Sequence, residues 1–260
     1  MQTAAILTKT GSIQLELPDA GAKLLGDDFP GCRAVWGDVA CFPTPAYWQF
    51  QVLARRLIGR PATYRLGRTL TEEVGACLLG GHGIPATVGL AAFERLREQG
   101  AFAGAPPSQD QLERWLREPL LIDGRGIRYR FASQKARYLA AALPLVQAAP
   151  KFTEGRPLRD WLLQLQGVGP KTASWIARNW LDCDDVAILD VHILRVGRAI
   201  DLFPRTITVE RHYAELERLF VAFARAIDCR TSELDTVIWA ELASSPASAR
   251  FLDDYLAHAA

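Results

Sequence analysis

Charge of one sign is missing from this sequence: 30 lysines and arginines stand against 29 acids, a formal net charge of +1. That excludes a protein held to a polyanion by bulk positive charge. It leaves backbone amides and a few placed cations as the means of gripping phosphate. Cysteines at metal or redox spacing are missing too. Cys32, Cys41, Cys77, Cys183 and Cys229 are odd in number and form no CxxC pair. A disulfide framework, a zinc ribbon and a C-terminal four-cysteine iron–sulfur loop are therefore excluded, and the usage fits a reducing compartment. No apolar run approaches the ~20 residues that a membrane span needs. Residues 1–17 lack the basic-then-apolar layout of a secretion signal. A soluble, cytoplasmic protein with no membrane partner is expected.

What is present is a chain of 260 residues, 49% of them hydrophobic, which is enough for a core and excludes wholesale disorder. Its length allows one large domain or two small ones. Residues 4–17 read as a small hairpin. Ile13, Leu15 and Leu17 alternate with polar residues, and Lys9-Thr10-Gly11 supplies the turn. Residues 20–45, rich in glycine and proline, read as an irregular connector. From there the pattern turns helical. Helices are expected over 46–58, 71–79, 88–98, 109–117 and 132–143, the last closed by Pro144. Leu158, Trp161, Leu162 and Leu165 mark another helix behind Pro157. Ala173, Ile176, Ala177 and Trp180 mark the next. Tyr213, Leu216, Phe220, Phe223 and Ile227 form a strong apolar face, followed by a helix over 232–243. The fold class is mainly α with a short N-terminal β element.

The stretch 163–200 carries the chemistry. Two helices are joined by Gln166-Gly167-Val168-Gly169-Pro170, and Lys171 follows at once. Gly167 and Gly169 can take positive φ and let another backbone approach. Amides of the turn, with Val168, and the positive end of the following helix dipole form an anion site suited to phosphate. A plain αα corner with a solvated Lys171 is the alternative. A cation is, however, disfavoured at a helix N-terminus, and the neutral amine favoured there is what a nucleophilic lysine needs. A short apolar run then ends in Asp190, and Ile193, Val196 and Ile200 open a new helix. An aspartate there reads as an N-cap, and a capping carboxylate at a helix mouth is compatible with catalysis.

These residues resemble the helix-hairpin-helix DNA glycosylases, and most closely the 8-oxoguanine DNA glycosylase/AP lyase branch. The resemblance lies in the lysine directly after Gly-Val-Gly-Pro and in Asp190-Val191-His192 downstream of it. It implies a two-lobed helical fold. Residues 1–45 would be a short β-hairpin and irregular segment and 46–260 the glycosylase domain, with lobes at 71–181 and at 46–70 plus 182–260. It implies double-stranded DNA carrying a modified base as partner, a flipped nucleotide, and Lys171 attacking the sugar C1′ to give a Schiff base. Asp190 would stabilise positive charge on the sugar. No cofactor is required, although carbonyls of Leu163, Leu165 and Val168 would hold a structural monovalent or divalent ion. His192 would lie near a phosphate, or be structural. A monomer is expected.

For the base pocket, Asp235 and Trp239 are i, i+4 neighbours where the branch carries a polar residue and an aromatic, though not the glutamine/phenylalanine pair of its eukaryotic-type members. An ionised carboxylate, acceptor only, suits the N1–H and N2–H₂ donors of a guanine edge. The alternatives are a cap position after Ser232 for Asp235 and core packing for Trp239. Trp175, one turn after Lys171, would wall the pocket or join the core. His82 and Ile84 stand where relatives carry a wedge. Arg130 would read the orphaned partner base or be a surface cation. 8-Oxoguanine is the first substrate expected. Another modified purine, such as a deazaguanine in phage DNA, and a non-catalytic DNA clamp are the alternatives.

Overall fold

The computed structural model describes residues 1–9, 11–26, 29, 31–59, 65–81 and 83–258. The chain divides into two compact units, Met1–Thr63 with Cys183–Ala260, and Tyr64–Asp182. Among the described residues there are eleven α-helices and two small β-hairpins, and no helix is long and apolar enough to cross a membrane.

In the first unit, β1 (Gln2–Thr8) pairs antiparallel with β2 (Gly11–Leu17), Thr8 opposite Gly11. Ile6 and Leu17 are buried, whereas Ile13, one of the alternating apolar residues, is 39% exposed. The connector beyond holds an isolated bridge, Lys23 to Val35, and feeds Ala34 and Trp36 into the core. The helices are α1 (Pro45–Ile58), α8 (Val191–Ala199), α9 (Val209–Ala226), α10 (Thr231–Ser244) and α11 (Pro246–His258). Helix α10 packs against α1, α8, α9 and α11. Tyr213, Leu216, Phe220 and Phe223 of α9 are buried as their spacing predicts, with Ile227 just beyond its end. Helix α11 was not legible from the sequence, because of its residues only Leu252 is buried and the apolar periodicity is weak.

In the second unit, α2 (Leu70–Leu79) packs against α3 (Ala86–Glu98), α5 (Ala132–Gln147) and α7 (Pro170–Leu181). Helices α4 (Gln109–Arg117) and α6 (Gly155–Leu162) pack on α5 and α7 respectively. The entry to α2 is tied by Glu73, which is fully buried. Its Oε2 accepts from Leu66 N at 2.8 Å and Gly67 N at 2.7 Å. Burial pushes this carboxyl up from its ordinary value, against the pull of those two amides.

Two expectations need correction here. Pro144 does not end its helix: α5 continues to Gln147, with Ala148 N donating to Pro144 O at 3.2 Å. The missing proline N–H removes one bond, and burial of Leu143 and Val146 outweighs that loss. The glycine-containing punctuation at 123–126, which reads from the sequence as a break between the helices at 109–117 and 132–143, also holds a small hairpin. β3 (Leu120–Ile122) pairs with β4 (Arg125–Ile127) across Asp123-Gly124, both at positive φ (49° and 75°). That is the turn geometry which Asp-Gly favours between strands.

Candidate active site

The hairpin is built from α6, the turn and α7. Helix α6 ends at Leu162, so Leu165 falls in the turn rather than on the helix, and is buried there. Leu165 N donates to Leu162 O at 3.0 Å and Val168 N to Leu165 O at 3.1 Å. Gly167 has φ +87°, and a Cβ there would meet Tyr138 Cδ2 of α5 at 2.3 Å. Gly169 differs from the expectation of positive φ. It is the N-cap of α7 at φ −93°, ψ 175°, because an N-cap needs extended backbone. A Cβ on Gly169 would meet nothing within 4 Å, so the space before it is open.

No side chain caps α7, and Pro170 brings no N–H. The first intrahelical amide is Ala173, which donates to Gly169 O at 2.9 Å. The amides of Lys171 and Thr172 are left at the positive end of the helix, where an anion is favoured. Lys171 is the second residue of α7 and is exposed; Trp175, one turn on, is only partly buried and is not a core residue. The described residues contain no group of three His, Cys, Asp or Glu able to hold a metal. A cation at the hairpin would therefore depend on carbonyls such as those of Leu163, Leu165 and Val168. Of these, Leu165 O already accepts from Val168 N and keeps one lone pair.

In the first unit, Asp190 is the N-cap of α8. Its Oδ1 accepts from His192 N and from Ile193 N, each at 2.9 Å. The segment ahead of it is pinned by α9 rather than by a neighbouring strand. Buried Glu217 Oε1 accepts from Ala187 N at 3.1 Å, while the Tyr213 hydroxyl accepts from Leu189 N at 3.2 Å and donates to Ala187 O at 2.9 Å. The ring of His192 is partly buried, and its Nδ1 has no hydrogen-bond partner among the described residues.

Helix α10 starts one residue earlier than expected, with Arg230 as an N-cap whose side chain makes no cap bond. The carboxylate comes from elsewhere. Asp184 Oδ1 accepts from Ser232 N at 3.0 Å and Oδ2 from Arg230 Nε at 2.6 Å, while Thr231 Oγ1 donates to Asp184 O at 2.9 Å. Burial works to raise the Asp184 carboxyl, but the bonds from Ser232 and Arg230 hold it below its ordinary value. Asp235 is thus the fifth residue of α10 and not part of a cap begun by Ser232. It is 3% exposed and accepts from the Thr236 hydroxyl at 3.2 Å. Trp239, one turn on, is 49% exposed, which rules out the core alternative and leaves an indole face at the surface.

Arg130 is exposed, its guanidinium 5.2 Å from the Phe131 ring centre, with buried Tyr129 beside it. Ile84 is partly buried and its N donates to Gly81 O at 3.1 Å. His82 lies outside the described residues. Asp184 and Glu73 escaped the sequence reading. Asp184 and Arg230 are 46 residues apart, and no local spacing joins them.

The family model described as 8-oxoguanine DNA glycosylase matches residues 65–229, which include the hairpin, Lys171 and Asp190 but not Asp235 or Trp239. An 8-oxoguanine DNA glycosylase/AP lyase of Methanocaldococcus jannaschii is 32% identical over 130 residues, covering 47% of this chain and 62% of its own. One from Metallosphaera sedula is 32% identical over 122 residues, covering 43% of this chain and 57% of its own. The chain thus matches about three fifths of the length of these curated relatives. Among solved structures, the M. jannaschii 8-oxoguanine glycosylase/lyase in complex with a 15mer DNA containing 8-oxoguanine superposes with a TM-score of 0.51. It has 26% identity, over 68% of this chain and 81% of that one. With the family's model matched along well over half its length, the chain belongs to the 8-oxoguanine DNA glycosylase family.

Proposed function

We propose that this chain is a bifunctional DNA glycosylase/AP lyase that excises an oxidised purine, 8-oxoguanine first, from duplex DNA. The observation that carries the reading is Lys171: an exposed amine in the first turn of α7, directly after an uncapped hairpin with open space before Gly169. The neighbouring amides suit the DNA backbone, so the lysine stands beside a phosphate site rather than in one. The Lys171 amine forms a bond to C1′ while the glycosidic bond breaks, its electron pair leaving with the base. Loss of the amine proton and opening of the sugar then give a Schiff base. That linkage acidifies C2′, and elimination releases the 3′ phosphate. Asp190 is assigned the stabilisation of positive charge on the sugar. An ion on the carbonyls of Leu163, Leu165 and Val168 would add charge for the phosphate.

The choice of base rests on α10. A buried carboxylate at Asp235 suits the N1–H and N2–H₂ donors of a guanine edge, and the exposed face of Trp239 suits stacking. Both lie outside the stretch that matches the family, so the match does not bear on the base, and a second reading keeps the same chemistry on another modified purine. Borohydride trapping on a duplex with 8-oxoguanine opposite cytosine, run beside Lys171→Gln, tests these assignments. The expected result is a covalent protein–DNA band that vanishes in the variant. A band on an abasic duplex alone would keep the lysine chemistry and reject 8-oxoguanine. No band on either would reject the lyase.

A further inference from the structure

The end of α2 is held in an uncommon way. Helix α2 has no basic residue in its last turn, although the carbonyls there favour a cation. Lys135 of α5 supplies one from outside: its Nζ donates to Gly80 O at 3.1 Å. Beside it, the buried Tyr129 hydroxyl donates to Leu79 O at 2.6 Å. On the third side is Gly89 of α3, where a Cβ would come within 3.3 Å of Leu79 O and 3.4 Å of Gly80 Cα. Burial pushes both Lys135 and Tyr129 away from their charged forms, the lysine down and the tyrosine up.

What is held is a surface. Gly81 and Gly83 leave the clamp at φ +112° and +77°, both exposed, and Ile84 N closes a turn on Gly81 O. Glycine backbone is conformationally free, so the two successive carbonyl bonds at the root of α2's exit help to define its path. Tyr129 lies between exposed Arg128 and Arg130, and its bond to Leu79 ties that arginine strip to the same root. In a chain with a net charge of +1, two exposed arginines flanking a tethered Tyr129 beside bare backbone fit a polyanion strand.

We propose that Lys135 and Tyr129 clamp the Gly80/Gly81/Gly83/Ile84 turn and the Arg128/Arg130 strip into one preorganised DNA-contacting surface, with Lys135 as its positioning residue. The inference rests on the glycosylase reading for the identity of the partner, though the clamp itself does not.

Hydrogen exchange of the 79–89 backbone, measured in the wild type, Lys135→Met, Lys135→Arg and Tyr129→Phe, tests the clamp. Binding of the same proteins to a duplex with a tetrahydrofuran abasic analogue, and to an undamaged duplex, tests the surface. Lys135→Met is expected to speed exchange there roughly tenfold, with other helices unchanged, and to weaken binding to the abasic-analogue duplex by about the same factor. Lys135→Arg should recover most of both. Tyr129→Phe, which removes one hydroxyl from a ring that stays in place, should move both readouts in the same direction. Unchanged exchange in Lys135→Met and Tyr129→Phe, or faster exchange throughout Tyr64–Asp182, would overturn the clamp. Faster local exchange with unaltered affinity for the abasic analogue would overturn the surface. A wild type that does not distinguish the two duplexes would instead count against the glycosylase reading, and exchange would still decide the clamp.

Discussion

Asp190 does two things at once, and a pair of substitutions separates them. Its Oδ1 caps α8 through His192 N and Ile193 N. Asparagine caps a helix about as well as aspartate, whereas alanine costs about 1 kcal/mol. Asp190→Asn should therefore keep the melting temperature, while Asp190→Ala lowers it by roughly 2–4 °C in a scanning calorimeter. Both should lose base excision, since neither retains the negative charge. If Asp190→Asn stays active, the carboxylate is only a cap. The two hairpin glycines make a second contrast. Gly167→Ala meets both a positive φ and the Tyr138 ring, and is expected to cost about 2 kcal/mol or more, read as a lower denaturant midpoint. Gly169→Ala has open space and an allowed backbone, so stability should hold. Its methyl group stands where a phosphate would approach, and duplex affinity should fall. That Gly167 and Gly169 mattered was legible from their spacing before Lys171. Which of them serves the fold and which the surface was not, because only Tyr138, brought in by α5, distinguishes them.

At the scale of elements, α10 depends on a residue far away in the chain. Asp184 carries the cap that Arg230 lacks, and its carboxyl is held below its ordinary value near 3.8. A folded-state value below the unfolded one means that the contribution is present above about pH 3.8 and is lost as pH falls through the folded-state value. Asp184→Asn should thus lower the urea midpoint by an amount that stays level from pH 7 to pH 5 and narrows only below about pH 4. The expected size is about 0.5 kcal/mol, since asparagine can still accept from Ser232 N and what is lost is the charge and its partly exposed, screened ion pair with Arg230. A gap that closes already near pH 6 would assign the stabilisation to another group. Helices with strong periodicity were legible here, α4 at the expected bounds and α9 with its whole apolar face. Helix α11 and the last turn of α5 were not. In both, packing against neighbours decides over local propensity, with Pro144 tolerated inside α5.

For the whole molecule, near-neutral charge sets the mode of binding. With 30 basic and 29 acidic side chains, binding by bulk positive charge is disfavoured, and in the proposed function the grip would come from hairpin amides and from placed arginines such as Arg128 and Arg130. The slope of log affinity against log salt should be shallow, about −3 to −4, corresponding to roughly four ionic contacts. Titration at several salt concentrations checks this, and a slope steeper than about −6 would mean a basic surface that the composition does not suggest. The sequence alone determined the mainly helical class, the hairpin with Lys171, and the capping aspartate that follows, because each rests on residues close together in the chain, where helix period, glycine turns and N-cap preference act. Only the tertiary structure decided that Asp235 is buried while Trp239 is exposed, that Asp184 caps α10, and that Lys135 and Tyr129 hold the end of α2. Those contacts join residues between 48 and 55 positions apart, or are settled by burial, and neither leaves a periodic trace in the sequence.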